Sequence, residues 1–237
     1  MLKKRKDFEE DFKKVAISDD LDEIAKFIDK CNAYDMVDLA DKTQAIIGDR
    51  MKDFVKSSEN LLNDANLKEA LNSFAASFKL RNLFESLVKE NFQRIEEKFI
   101  EKLNKIGDDL EGFERFNTYK AFERSFDELN LYLQFKANTN NSNVKCDCVI
   151  FKKISERTSS FLVKVIEFVE LRQKKFTFSL ENFKTAELKS CMDDMKKWTP
   201  LLTRINHNEW MTNQYQLDKG NFSFLSKQFI KSILILV

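Results

Sequence analysis

The sequence predicts an all-α protein, either an array or bundle of about nine to ten amphipathic helices or an irregular stack of helical hairpins. Three observations support this prediction. The 237 residues include only 4 glycines and 1 proline, whereas globular proteins average roughly 7% and roughly 5%. Apolar residues recur at helical spacing along most of the chain. Charged residues, 33% of the total, occupy the positions between them, as expected for helices with one buried and one solvated face.

The strongest helical signal lies in residues 80–106. From Val88 onward the apolar residues follow one another at steps of four, three, four, four and three, which average the 3.6-residue period of a straight helix rather than the 3.5 of a heptad coiled coil. At roughly 1.5 Å per residue such a helix is about 40 Å long, and its apolar face requires partners. Gly107 is expected to end it. The apolar residues are Leu83, Leu87, Val88, Phe92, Ile95, Phe99, Leu103 and Ile106.

Shorter helices are predicted before this segment. The first covers residues 2–17, where a run of basic residues near the start resembles a short nuclear-localisation cluster, although a solvated terminus is the simpler interpretation. Asp20 and Glu23 have the spacing of a capping box and predict the start of the second helix. Gly48 is interpreted as the glycine that follows a helix C-terminus. Another apolar stripe, in residues 67–78, leads into the long helix.

After Gly112, Thr118 is expected to cap a helix with a regular apolar stripe. Residues 137–143, with the sequence ANTNNSN, form the only low-complexity segment and predict a flexible loop. The expected organisation is therefore an N-terminal helical part, a polar loop and a C-terminal helical part, or else one continuous helical domain. The boundaries are 1–136, 137–145 and 146–237.

The C-terminal part begins with residues 144–148, whose alternation resembles a short strand. A helix with a wide apolar face follows over residues 150–171, and residues 174–178 are interpreted as a linker or short extended segment. Ser179 is expected to cap a further helix that ends at Pro200. The sequence ending SILILV is expected either to pack against the rest of the protein or to continue into a longer chain. The last predicted helix carries Phe222, Leu225, Phe229, Ile230, Ile233, Leu234 and Val237.

Charge and composition exclude several classes of function. The 40 basic and 39 acidic side chains nearly cancel, so the basic field that nucleic-acid binding requires is missing and no nucleic-acid partner is predicted. No run approaches the roughly 18 consecutive apolar residues of a membrane helix. The charged beginning MLKKRKDFEE and the four cysteines do not resemble a secretory signal or a disulfide framework. An intracellular, cytoplasmic protein is expected.

The common catalytic motifs are also missing. The four glycines cannot form the phosphate-binding loops GxxxxGK[ST] or GxGxxG. The single histidine, His207, excludes the HExxH zinc motif and limits any Ser-His or Cys-His arrangement to that one position. Asn206, Asn208 and Glu209 would be available to orient it, but a polar surface histidine just before a helix is the simpler interpretation.

One cysteine pair has a metal-like spacing. Cys146 and Cys148 are separated by one residue, and Cys31 and Cys191 would complete a four-thiolate set if distant helices converged. Structural zinc sites usually place two to four residues between such cysteines, and small buried apolar side chains are the simpler interpretation. No metal or cofactor is assigned, and metal binding by Cys146 and Cys148 stays open.

Two further pairs are interpreted structurally. Asp193 and Asp194 resemble part of a metal-binding diacid motif, but the third aspartate that such a motif needs is replaced by Lys197. Both aspartates are therefore placed on a solvated helix face. Trp198 is expected to anchor the core at the end of its helix, and Trp210 to be packed or half-exposed.

The prediction is a non-catalytic helical scaffold or protein-protein interaction module that belongs to a larger protein. Its chemistry would be packing, with grooves between helices that accept a partner helix. The alternative is a peripheral membrane protein that inserts residues 222–237 as an amphipathic anchor and rests lysine-rich faces on anionic lipid. No catalytic, cofactor or metal residue is assigned. The lysines in question are Lys98, Lys102, Lys105, Lys152, Lys153 and Lys164.

Overall fold

The structure, a computed structural model, describes residues 2–63, 66–116, 119–141, 148–208 and 211. These residues contain seven α-helices, one short 3-10 helix and no strand, so the all-α prediction is confirmed while the count of nine to ten helices is not. The 3-10 helix is Phe113–Arg115. The α-helices are α1 (Leu2–Ile17), α2 (Leu21–Ala33), α3 (Val37–Asn63), α4 (Leu67–Glu111), α5 (Tyr119–Asn141), α6 (Val149–Glu181) and α7 (Thr185–Asn206).

The chain divides into two compact units, and the divisions fall inside α4 and α5. In unit 1, α1, α2 and α3 pack against one another, and in unit 2, α6 packs against α7. The prediction of a loop over residues 137–145 is wrong for residues 137–141, because these residues continue α5. Thr139, one of them, is buried. The three-part domain organisation stays a prediction. Unit 1 comprises Met1–Ile100 and Asn138–Asp147, and unit 2 comprises Glu101–Ala137 and Cys148–Val237.

The predicted start of α2 is confirmed at the level of individual atoms. The Asp20 carboxylate accepts hydrogen bonds from the backbone N–H groups of Asp22 (2.9 Å) and Glu23 (3.3 Å). The Ser18 hydroxyl accepts from the Asp20 N–H at 3.1 Å and donates to the Glu23 carboxylate at 2.8 Å. Ser18 thus takes the place that the Glu23 side chain would have in a capping box, because it accepts the Asp20 N–H itself. Asp20 caps the helix as predicted and satisfies two N–H groups that the helix cannot pair internally.

The helix α4 reverses direction at Phe84, whose backbone is non-helical (φ −135°, ψ 39°). The rings of Phe74 and Phe99 stack with their centroids 4.7 Å apart, although a straight helix would separate these residues by roughly 37 Å. The reversal produces two packed arms, residues 67–83 and residues 85–111. The straight helix predicted over residues 80–106 is therefore wrong, because its first turn belongs to the first arm.

Aromatic packing accounts for this reversal. Phe74 also lies 5.1 Å from Phe92 and 5.2 Å from Phe78, and Phe78 lies 5.4 Å from Phe92. All four rings are essentially excluded from solvent. Each buried phenylalanine contributes about 1.5–3 kcal/mol relative to an exposed one, so folding the arms together outweighs one non-helical residue.

The glycines do not end helices as predicted. Gly48 lies inside α3 and Gly107 inside α4. A Cβ atom at position 107 would lie only 2.7 Å from Cδ of Arg157, so the glycine allows Arg157 to pack directly on the helix. A glycine in a helix interior costs roughly 1 kcal/mol relative to alanine, which is small beside the burial of the flanking apolar residues.

The boundaries predicted for α6 and α7 are also wrong. Residues 174–178 are not a linker but continue α6, and Ser179, predicted to cap the next helix, is buried inside α6. Its hydroxyl lies 3.0 Å from the carboxylate of Glu187 in α7, to which it donates a hydrogen bond. Helix α7 passes through Pro200, an exposed residue whose ring points away from the core.

The core of unit 2 is built around Trp198, which is only 2% exposed. Its ring meets Phe113 edge-on at 5.1 Å and Phe122 at 6.1 Å, and Phe113 in turn contacts Phe168 at 5.3 Å. The predicted core role of Trp198 agrees with this packing. The prediction that it closes its helix is wrong, because α7 continues to Asn206.

Candidate functional site

The bend of α4 leaves apolar side chains partly exposed. Phe84 turns inward and is only 6% exposed, whereas Leu83 and Leu87 are each 37% exposed. Leu83 ends the first arm and Leu87 lies at the start of the second, so the two leucines stand on either side of the bend. The bend therefore exposes two leucines to water beside the buried ring of Phe84. Exposed apolar groups that lie together are typical of surfaces that bind an apolar partner.

An open groove of about 730 Å³ surrounds this bend within unit 1. Helix α2 contributes Ile28 and helix α3 contributes Gln44, while α4 supplies the rest of the lining. The groove therefore combines an apolar floor with a rim of amide, hydroxyl and charged groups. The α4 residues are Asn82, Leu83, Phe84, Glu85, Ser86, Leu87 and Lys89.

Contacts on the first arm of α4 fix the position of the bend. The guanidinium of Arg81 lies 4.8 Å from the ring centroid of Phe92, joining the two arms. Lys79 pairs with Asp22 of α2 at 2.6 Å, and this hydrogen bond raises the pKa of Lys79. The ion pair joins the first arm to α2, the helix that carries Ile28, but both side chains are more than half exposed, so it is a weak surface contact.

His207 follows the last residue of α7 as its C-cap, and its side chain is exposed. Met211 is helical again, and its backbone N–H donates to the side-chain oxygen of Asn208 at 3.0 Å, which fits the interpretation of a surface histidine before a helix. Its Nδ1 lies 2.7 Å from the carbonyl oxygen of Thr203. Since a carbonyl only accepts, Nδ1 carries the proton in this contact. The ring thereby caps one of the last carbonyls of α7.

Asp194 forms an ion pair with Arg172 of α6 at 2.9 Å, and Asp193 is exposed. This agrees with the prediction of a solvated helix face. The pair bridges α6 and α7.

The described cysteines are dispersed. Cys31 in α2 and Cys191 in α7 are buried free thiols, and burial raises the pKa of the Cys31 thiol. Cys148 occupies the N-cap position of α6 without a side-chain capping hydrogen bond and is disulfide-bonded. Cys146 lies outside the described residues. Within the described ranges, no three histidine, cysteine or acidic side chains come together in a way that would hold a metal ion.

One polar pair was not anticipated from the sequence. The Lys136 amine in α5 donates to the Ser155 hydroxyl in α6, and burial lowers the pKa of Lys136. A lysine with a lowered pKa beside a serine is the pair used by Ser-Lys hydrolases. Here Ser155 donates in turn to the Phe151 carbonyl at 3.1 Å within its own helix, so the contact satisfies half-buried polar groups. A separation of 19 residues offers no spacing rule that would reveal it.

Two predicted features, Trp210 and the apolar stripe of residues 222–237, lie outside the described residues. In the part of the chain that the structure describes, no helix is long and apolar enough to cross a membrane.

Comparison with known proteins does not assign the chain to a group: no family model matches it, and neither does any curated protein or solved structure.

Proposed function

We propose that the protein is a non-catalytic helical interaction module that binds the apolar face of a partner helix in the groove at the bend of α4. The observation that supports this most directly is the pair of half-exposed leucines, Leu83 and Leu87, beside Ile28. Their exposure leaves apolar area in contact with water that an apolar partner would cover.

The apolar residues of the groove come from several elements. Leu83 ends the first arm of α4, Leu87 lies at the start of the second arm, and Ile28 comes from α2, so an apolar helix face could contact all three. This is the helix-in-groove mode of recognition. Glu85 and Lys89 on the rim provide one charge of each sign, which would favour one orientation of a partner that carries complementary charges.

The groove is also preorganised. Phe84 is buried as the anchor of the bend, the Arg81–Phe92 contact joins the two arms, and the four buried rings of Phe74, Phe78, Phe92 and Phe99 pack the arms together. A site that is already ordered avoids part of the entropic cost of association.

The test is selection of amphipathic helical peptides from a displayed library on the full chain, followed by affinity measurement against variants. Leu83→Ser and Leu87→Ser are each expected to weaken selected peptides about tenfold or more, since burial of a leucine contributes roughly 1.5–3 kcal/mol. Val37→Ser is the matched control, because Val37 is 52% exposed in the same unit and does not line the groove.

Peptides that bind the groove should lose affinity for the leucine variants and keep it for Val37→Ser. Equal affinity for wild type and both leucine variants would show that the groove is not the binding site. Failure to select any helical binder would remove the support for an interaction module at this bend.

A further inference from the structure

A second surface, in unit 2, does not take part in the groove. The hairpin tip, defined as residues 174–186, includes the last turns of α6 and the first of α7, and most of its residues are exposed. Phe178 is 53% exposed, Leu180 is 50% exposed and Phe183 is 88% exposed. Three large apolar side chains within six residues therefore lie in water at the end of one hairpin.

Phe183 is unfavourable at its position in two respects. Its φ of 53° places it in the left-handed region, where glycine or asparagine is normally found after a helix C-terminus. At 88%, its side chain is also the most exposed large apolar one among the residues that the structure describes. A residue that combines backbone strain with apolar exposure directs attention to a function of the side chain.

The arrangement of these side chains indicates the shape of the occupant. Phe178 and Leu180 are two residues apart in α6, which places them about 200° apart around the helix, and Phe183 lies in the turn. The apolar groups thus surround a convex end and do not form a stripe. A partner helix would cover only one side, whereas a bilayer entered end-on would cover all three.

The charges of this region complement an anionic surface. The hairpin tip contains three basic side chains (Lys174, Lys175 and Lys184) and one acidic one (Glu181), a net charge of +2 in a chain whose total is +1. Lys184 also pairs with Glu187, just behind the tip, at 3.4 Å. The Lys184 ammonium lies 5.0 Å from the ring centroid of Phe178. Long lysine side chains can place their charges at lipid headgroups while neighbouring apolar groups enter the bilayer.

Hydrogen bonds across the turn hold the hairpin tip in shape. The side-chain amide of Asn182 donates to the Phe178 carbonyl at 2.8 Å, and the Lys184 N–H donates to the Ser179 carbonyl at 2.8 Å. The Ser179–Glu187 bond joins α6 to α7 just behind the turn. The exposed rings are therefore presented by a braced turn.

We propose that the hairpin tip inserts Phe178, Leu180 and Phe183 into the headgroup region of an anionic bilayer, with the surrounding lysines at the lipid phosphates. The inference goes beyond the proposed function, because it concerns another surface and another class of partner. It also places membrane contact at the α6–α7 turn, whereas the sequence alone suggested residues 222–237.

The test is cosedimentation of the full chain with vesicles of phosphatidylcholine that either contain or lack phosphatidylserine. Phe183→Asn is the main variant, because asparagine tolerates the left-handed conformation and the chain should stay folded with unchanged or higher thermal stability. Loss of one inserted ring is expected to lower binding to the anionic vesicles about tenfold. Replacing Lys174 or Lys175 by Glu is expected to lower it about fivefold or more in each case.

Val163→Asn is the matched control, since Val163 is 50% exposed on α6 and lies outside the hairpin tip. The Val163→Asn variant should bind the anionic vesicles as strongly as wild type does. The proposal is overturned if wild type does not bind anionic vesicles, if Phe183→Asn binds them as wild type does, or if phosphatidylserine makes no difference. Light scattering that shows a dimer lost in Phe183→Asn, without vesicle binding, would assign the surface to a second copy instead.

Discussion

The reversal of α4 predicts an energetic coupling between two phenylalanines that are far apart in a straight helix. Phe74 and Phe99 are both fully buried, with ring centroids 4.7 Å apart and an angle of 24° between ring planes. Aromatic pairs at this distance contribute about 0.5–1.5 kcal/mol beyond the area they bury. A double-mutant cycle of Phe74→Leu and Phe99→Leu should therefore give a coupling free energy in that range. Each single substitution should cost about 1–2 kcal/mol, which leaves a folded protein.

The assay is urea unfolding followed by far-ultraviolet circular dichroism, with the free energy of unfolding extrapolated to water. The control cycle combines Phe74→Leu with Phe8→Leu, because Phe8 is equally buried in unit 1 but packs on Phe27 and Tyr34. Its two substitutions should add to within about 0.5 kcal/mol. If the Phe74–Phe99 coupling is no larger than that of the control, the two arms are not in contact and the interpretation of α4 as a hairpin is refuted.

Two further substitutions test α7 and the buried lysine. Pro200→Ala restores a backbone N–H that can donate to the Lys196 carbonyl, which should stabilise the folded protein by up to about 2–3 kcal/mol. The greater freedom of the unfolded chain without proline offsets roughly 1 kcal/mol of this gain. A lower urea midpoint for the variant would contradict a continuous α7. Burial lowers the pKa of Lys136 below its ordinary value of 10.5. Its charged form therefore destabilises the fold below the folded-state pKa, and this penalty disappears as pH rises toward 10.5. Lys136→Met should consequently be more thermostable than wild type at neutral pH, with an advantage that shrinks in alkaline buffer; an advantage independent of pH would contradict the effect of burial.

Helix starts that depend on local hydrogen bonds could be predicted from the sequence. The Asp20 cap of α2 forms as expected, since its partners, Asp22 and Glu23, lie two and three residues further along the chain and do not depend on the rest of the fold. Helix ends predicted from single residues were less successful. Gly48, Gly107 and Pro200 all lie inside helices, because costs of about 1–3 kcal/mol for each are smaller than what burial along the same helices contributes.

The bend of α4 has a sequence signal of another kind. The apolar stripe of the first arm ends at Phe78 and that of the second begins at Val88, ten residues later. At roughly 100° per residue this step leaves the two stripes about 80° out of phase. A single straight helix would bury one stripe and turn the other partly to solvent, whereas the reversal at Phe84 buries both. No glycine or proline marks the position, so only the change of phase reveals it.

The groove and the hairpin tip could not be predicted from periodicity because both depend on apolar residues that the fold leaves exposed. Leu83 and Leu87 have the same spacing whether they face a core or a solvent groove, and only the reversal at Phe84 decides between the two. In the tip, residues 174–178 were interpreted as a linker because Phe176 and Phe178 alternate with polar residues in the manner of a strand. Since α6 instead continues to Glu181, that alternation distributes apolar side chains around the helix end. The alternation of Phe176 and Phe178 with polar residues therefore both weakens the helix prediction and gives the tip its apolar end. Phe183 adds a third ring there, at a position that favours glycine or asparagine.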